Sequence, residues 1–303
     1  MKMRMLTLLW VVLAAGMAQA QSAGSQDKND EEMKMMAING LREASPSVAV
    51  PQLEKVLTGS SSLELKRKAL TVLAEMDSAA AREELGKIAR GQAAPGLQME
   101  AIRRLGNEGG AENLKTLSEI YDGSSDTSVK RQILSAFRNA DDSTRLLNAA
   151  KNEKSSELRG EAIRALGQTD NTQGLEQLYQ TETDPAIKAQ IIRAFGQSDN
   201  SKAIEQIAKS DSSTEMRRLA IHQLGTMDAE QSGQSLSALY GTEKDSSVRR
   251  EILHSLATQD NAKTLVELAK KETNTDLKKY AVEQLSHMDS KEATEYLMSL
   301  LNQ

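Results

Sequence analysis

Apolar residues recur along this chain at fixed offsets, and the pattern repeats nine times. Taking the residue that opens each period as the lead, the leads are Met33, Leu65, Leu97, Val129, Leu158, Ile187, Met216, Val248 and Leu277, spaced by 32, 32, 32, 29, 29, 29, 32 and 29 residues. Four positions on stands Ala or Ile, five on an aliphatic residue such as Ile102 or Ile163, and eight on Leu or Phe, as in Leu105 and Phe137. At about 100° per residue these offsets share an arc of about 140°, the buried face of an amphipathic helix. Between the lead helices runs a second apolar phrase, seen in Leu175-x-x-Leu178, Ile204-x-x-Ile207, Leu236-x-x-Leu239 and Leu265-x-x-Leu268. The expected unit is therefore two antiparallel helices of about three turns each. One such pair cannot bury its own apolar stripe, so the pairs must stack and share a continuous core. The three-residue jumps in spacing are close to one helical turn, and should lengthen the second helix or its loop.

Punctuation fits the same register. Pro95 and Pro185 sit two residues before a lead, where a missing N–H costs nothing in a first helical turn. Asp126, Asp184 and Asp245 lie three before a lead, in position to cap the free N–H groups. In the near-duplicated phrases 159–171 and 188–200, Gly167 and Gly196 are expected to stop the first helix with a positive φ. Asp170-Asn171 and Asp199-Asn200 then fall where the second helix begins and can cap it. A slower rhythm puts Tyr121, Tyr179 and Tyr240 eight residues before alternate leads, with Ala89, Ala150, Ala208 and Ala269 in the other units. That alternation is read as packing at a fixed offset, inherited from duplication of a two-unit block.

The phrases VKRQILSAF (129–137), LRGEAIRAL (158–166) and MRRLAIHQL (216–224), each with Asp, Ser or Thr just before, resemble HEAT repeats, and in length and wording the HEAT-like repeats of the phycobilisome-lyase type. The resemblance runs from Met33 to about Leu301. It implies an all-α solenoid of about nine stacked antiparallel helix pairs, a HEAT-like superhelix, over residues 33–303, with the lead helices lining a concave surface. It also implies a ladder of Asp–Arg pairs between neighbouring units. It does not fix an activity, since scaffolds, inhibitors and a few enzymes share this architecture.

The first twenty residues set the compartment. Lys2 and Arg4, an apolar run from Met5 to Met17 and the closing Ala18-Gln19-Ala20 are expected to be a signal peptide cleaved after Ala20. The run is 13 residues long, short of the roughly 20 that span a bilayer, so no membrane insertion is expected. Residues 21–32 are polar and read as a flexible lead-in to the repeat domain. The product is a chain exported to the periplasm or the medium. Losing Lys2 and Arg4 takes the net charge from −5 to −7, which disfavours nucleic acid as a partner. There is no cysteine, hence no disulfide framework and no thiolate metal site. Trp10 lies in the leader and only five Tyr and two Phe remain, which suits tight helix-on-helix packing.

Two columns of bases then compete for a role. The residue just after the lead is Lys34, Lys66, Lys130, Arg159, Lys188, Arg217, Arg249 or Lys278, with Gln98 the exception. This offset lies inside the apolar arc, which makes these bases ladder members, with Asp126, Asp184 and Asp245 as their expected partners. Offsets two and six lie well away from the core and carry Arg67, Arg103, Arg131, Arg164, Arg193, Arg218, His222, Arg250 and His254. Nothing structural demands bases there. Glu100, Glu161 and Glu251 stand one turn before three of them and are expected to neutralise those three in part. Arg103, Arg131, Arg164, Arg193, Arg218, His222, Arg250 and His254 are thus the candidate binding surface, suited to a protein partner with an acidic patch. The reading is a non-enzymatic scaffold.

The alternatives are a metal-dependent or lyase-related enzyme and a purely structural spacer. The HEAT-like resemblance extends to iron hydroxylases of the deoxyhypusine type, whose His-Glu dipeptides hold two irons. Here His222 is followed by Gln223, His254 by Ser255 and His287 by Met288, so that chemistry is not expected. Met33-Lys34-Met35-Met36 could offer thioethers to copper(I), but reads better as an apolar seal on the first helix. No cofactor is expected.

Overall fold

The computed structural model describes residues 29–169 and 171–302, and of Glu230 and Gln231 the backbone alone. The leader 1–20 and most of the lead-in lie outside the described residues. Every regular element among the described residues is helical. The chain divides after Ala136 into two compact units.

The first unit holds α1 (29–40), α2 (Pro46–Thr58), α3 (Leu63–Ala74), α4 (Ala79–Ala89), α5 (Gln98–Glu108), α6 (Ala111–Gly123) and most of α7 (Thr127–Asn139). Lead helices pack on lead helices, α3 against α5, and second helices on second helices, α2 against α4 and α4 against α6. The first helix starts earlier than the lead-in allowed: Asn29, Asp30, Glu31 and Glu32 are already helical. Acids in a first turn are favoured by the helix dipole, which accounts for the extension. Met33 does not behave as an interior lead, being 59% exposed, and only Ile38 of its unit's four apolar positions is buried. The eight later leads are all buried.

The second unit runs through α8 (Ser143–Asn152), α9 (Ser156–Leu166), α10 (Thr172–Thr181), α11 (Pro185–Gln197), α12 (Ser201–Ser210), α13 (Thr214–Gly225), α14 (Ala229–Thr242), α15 (Ser246–Thr258), α16 (Ala262–Lys271), α17 (Thr275–Ser286) and α18 (Lys291–Leu301). Its lead helices α9, α11, α13, α15 and α17 form one layer, each against the next, and α8, α10, α12, α14, α16 and α18 form the other. The three-residue jumps fall where expected. The second helix has 10 residues in the short units, as in α10, α12 and α16, against 13 in α6 and 14 in α14.

Caps set the helix starts. Three before the lead, Asp126 Oδ1 accepts from Ser128 N at 2.7 Å, Asp184 Oδ1 from Ala186 N at 2.8 Å and Asp245 Oδ1 from Ser247 N at 2.8 Å. Asn171, Asn200 and Asn261 cap α10, α12 and α16 through their side chains. The helix stops differ from expectation. Gly167 has φ −65° and Gly196 lies within α11, so neither supplies a left-handed residue. That conformation falls on Asp199 (φ 53°), and at the same offset on Asp141 (φ 54°) and Asp260 (φ 56°). There Asn200 N–H donates to Phe195 O at 2.9 Å and closes the helix end, and Asp is among the few side chains that tolerate this backbone. Asp170 lies outside the described residues. The glycines serve close approach instead: a Cβ on Gly167 would stand 2.8 Å from Ala194 Cβ, and one on Gly196 2.4 Å from Gln223 Oε1.

Candidate functional site

Four of the bases one residue after the lead, Arg159, Lys188, Arg217 and Arg249, point along the seam between neighbouring units. In the second unit Arg159 pairs with Glu182, Lys188 Nζ lies 3.6 Å from Asp211 Oδ2, Arg217 Nε donates to Glu243 Oε2 at 3.0 Å and Arg249 Nη2 to Glu272 Oε2 at 2.7 Å. These acids all stand five residues before the next lead. The expected partners at minus three, Asp184 and Asp245, are taken up by capping, so the ladder exists with a different rail. The free oxygen of each acid ties down the loop before the lead helix: Glu182 Oε1 accepts from Asp184 N at 2.9 Å, Asp211 Oδ1 from Ser213 N and Glu243 Oε1 from Asp245 N, both at 2.8 Å.

The tyrosine rhythm belongs to this seam. Tyr179 OH donates to Asp211 Oδ2 at 2.7 Å, and Tyr240 OH donates to Glu272. The seam base of the same unit lies over the ring, Lys188 Nζ 4.7 Å from the Tyr179 centroid and the Arg249 guanidinium 4.2 Å from that of Tyr240. Lys130 repeats this over Tyr121 in the first unit at 4.8 Å. Where the tyrosine is replaced by alanine, the arginine reaches a backbone carbonyl instead, Arg159 Nε donating to Ala150 O at 3.1 Å. Burial raises the carboxyls, but the bonds they accept outweigh it. Glu182 is lowered by the Asp184 and Thr183 N–H groups and Arg159, and Asp211 by Tyr179, the Ser213 N–H and Lys188. Glu243 and Glu272 are lowered in the same way. Burial, then the facing carboxylate, pushes the Tyr179 and Tyr240 hydroxyls well above their ordinary value.

The second column of bases faces solvent. Arg103, Arg131, Arg164, Arg193, Arg218, His222, Arg250 and His254 are all exposed. They do not form one equivalent row. Arg103 lies 3.6 Å from Glu100, as its i, i+3 spacing suggested, but Glu100 also faces Arg67 of the preceding lead helix at 3.5 Å. Glu251 turns back to the preceding helix rather than to His254: Arg218 Nη2 donates to its Oε2 at 3.1 Å and His222 Nδ1 stands 3.6 Å from its Oε1. The Arg250 guanidinium lies 4.2 Å from the centre of the Tyr280 ring. The side chains of Arg164, Arg193 and His254 make no hydrogen bond or ion pair with any described residue. Arg164 and Arg193 sit at the same offset on α9 and α11, which pack directly on one another. Glu161 stands one turn before Arg164, as Glu100 does before Arg103, but the expected pair does not form, and α11 itself carries no acid.

Arg104, Glu100 as a cross-helix centre and Tyr280 were not legible as site residues. The signal for the seam acids was available: before the last five leads, Glu153, Glu182, Asp211, Glu243 and Glu272 form an acidic column at minus five, where the first four leads have Lys28, Ser60, Gln92 and Ser124. Among the described residues no group of three or more His, Asp or Glu is arranged to hold a metal ion, and no helix is long and apolar enough to cross a membrane.

The family model for HEAT repeats matches residues 50–138 and 172–257. No curated protein matches the chain. Among solved structures, human deoxyhypusine hydroxylase in complex with glycerol is similar at 14% identity over 78% of this chain and 94% of that one, with a TM-score of 0.34. The complex of CpcE and CpcF of phycocyanin lyase from a Nostoc species is similar at 18% identity over 80% and 95%, with a TM-score of 0.32.

Proposed function

The chain belongs to the HEAT-repeat family, and on that premise we propose that it is an exported scaffold that binds a protein partner through the exposed face of its lead helices. The partner presents an acidic patch, and the scaffold works in the periplasm or the medium after cleavage behind Ala20. The observation that carries this reading is the pair Arg164 and Arg193. Two exposed guanidinium groups on adjacent helices pair with no acid among the described residues, although Glu161 stands one turn before Arg164, whereas the seam bases Arg159, Lys188, Arg217 and Arg249 each meet one. Helices in contact lie about 8–10 Å apart, a spacing that two carboxylates on one partner surface can match. Guanidinium groups favour such a surface because each can grip a carboxylate through two parallel N–H bonds.

The test is affinity capture from the native envelope fraction with the wild-type chain and with an Arg164→Glu, Arg193→Glu variant. A partner held by wild type, released by moderate salt and lost in the variant supports the reading. Capture of the same partner by both chains, or no specific partner for either, contradicts it; the second result is what a structural spacer would give. N-terminal sequencing of the exported protein checks the compartment, with Gln21 as the expected first residue.

A further inference from the structure

One acid in the first unit is outnumbered. Glu100, half-buried on α5, has Arg67 Nε at 3.5 Å from α3, and Arg103 and Arg104 of its own helix at 3.6 and 3.9 Å. Arginine does not deprotonate in proteins, so three permanent charges meet one carboxylate and two remain in excess. These separations are ion pairs and too long for good hydrogen bonds, which leaves most of the N–H donors uncommitted. Arg104 is steered from the other side, its Nη2 donating to Thr71 Oγ1 at 3.0 Å while Thr71 donates to Arg67 O at 2.9 Å. The buried Arg104 Nε has no acceptor among the described residues, an unsatisfied donor of the kind that folded proteins seldom retain. In the second unit Glu251 faces one arginine in a true hydrogen bond, plus His222, and has no such excess.

We propose that Arg67, Arg103 and Arg104, gathered by Glu100, form a binding site for a tetrahedral phosphoryl dianion. Charge selects the ligand class: two excess positive charges are neutralised by a dianion, whereas a lone carboxylate leaves one over. Geometry agrees, because guanidinium forks arriving from two helices can address different oxygens of a tetrahedral group, while a planar carboxylate offers two oxygens in one plane. Glu100 holds the three arginines together and competes with the ligand for them. This site goes beyond the protein-binding reading and uses neither Arg164 nor Arg193, so either can fail alone.

The experiment is calorimetric titration of the full exported chain with inorganic phosphate, sodium acetate and glycerol phosphate at matched ionic strength. Saturable phosphate binding is expected in the millimolar range, at least tenfold tighter than acetate and weaker at pH 5.5, where phosphate carries about one charge. Arg67→Ala with Arg103→Ala should abolish it. Glu100→Gln should tighten it several-fold, an effect that a merely structural ion cluster would not produce, with circular dichroism confirming the fold of each variant. Glycerol phosphate binding as tightly as phosphate assigns an esterified source such as a headgroup, and phosphate alone assigns the free ion. Absence of saturable heat, acetate binding equal to phosphate, or Glu100→Gln leaving the affinity unchanged or weaker would overturn the proposal.

Discussion

Arg159 and Arg164 ride on the same helix, five residues apart, yet end in opposite circumstances. Arg159 points into the seam, paired with Glu182 and bonded to Ala150 O, whereas Arg164 stands exposed with no partner among the described residues. The contrast recurs one unit on, where Lys188 meets Asp211 and Arg193 pairs with no described residue. What separates the two columns is where the neighbouring unit places its acids. The acids at minus five meet the seam bases, whereas α11 carries no acid, α13 only Glu215 in its first turn, and no acid among the described residues pairs with Arg164 or Arg193. Identical side chains are thus consumed by architecture at one offset and left available at another.

The largest effect is expected from removing a seam acid. Glu272 has a side chain only 1% exposed and serves Arg249, Tyr240 and the Asn274 N–H together. Glu272→Ala leaves a charge and a hydroxyl without their acceptor, and should cost about 3 kcal/mol in urea unfolding. A loss within about 0.5 kcal/mol, the range of an ordinary surface substitution, would place the seam among surface decorations.

A pH series is milder and separates the columns without mutation. Glu182, Asp211, Glu243 and Glu272 are held below their ordinary values of 4.5 and 3.8, so the stability they contribute is complete above those values and is lost as pH falls through the lowered ones. Tyr179 and Tyr240 are held above 10.0, so theirs is complete below that value and is lost as pH rises beyond it. The unfolding midpoint should be level between about pH 5 and pH 9.5 and fall on both sides. A steady slope across that interval would mean that some group other than the seam governs stability.

Much of this was legible from spacing alone. The nine leads and their offsets set helix positions and layer membership, because a period near 3.6 can bury only one face. The capping acids at Asp126, Asp184 and Asp245 were readable because capping depends on neighbours two or three residues away. The ladder partners were misassigned for the opposite reason: the contact from Arg159 to Glu182 spans 23 residues, and choosing between the acids at minus three and minus five needs the loop geometry. Gly167 was misread because its close approach to Ala194 involves another helix, whereas a positive φ is a local property. At the solvent face the sequence named the bases correctly as a column. It could not show that Glu251 reaches backward to Arg218 and His222, which divides that column into answered and unanswered members.

The most direct measurement sets two charge reversals against each other. Arg159→Glu with Arg217→Glu strikes the seam, Arg164→Glu with Arg193→Glu strikes the solvent face, and both change the net charge equally. Urea unfolding and partner capture are followed for each. The seam variant should lose about 3 kcal/mol or more. The solvent-face variant should stay within about 0.5 kcal/mol of wild type while losing its partner. If it unfolds as readily as the seam variant, or stays folded and still holds the partner, Arg164 and Arg193 are not the recognition surface.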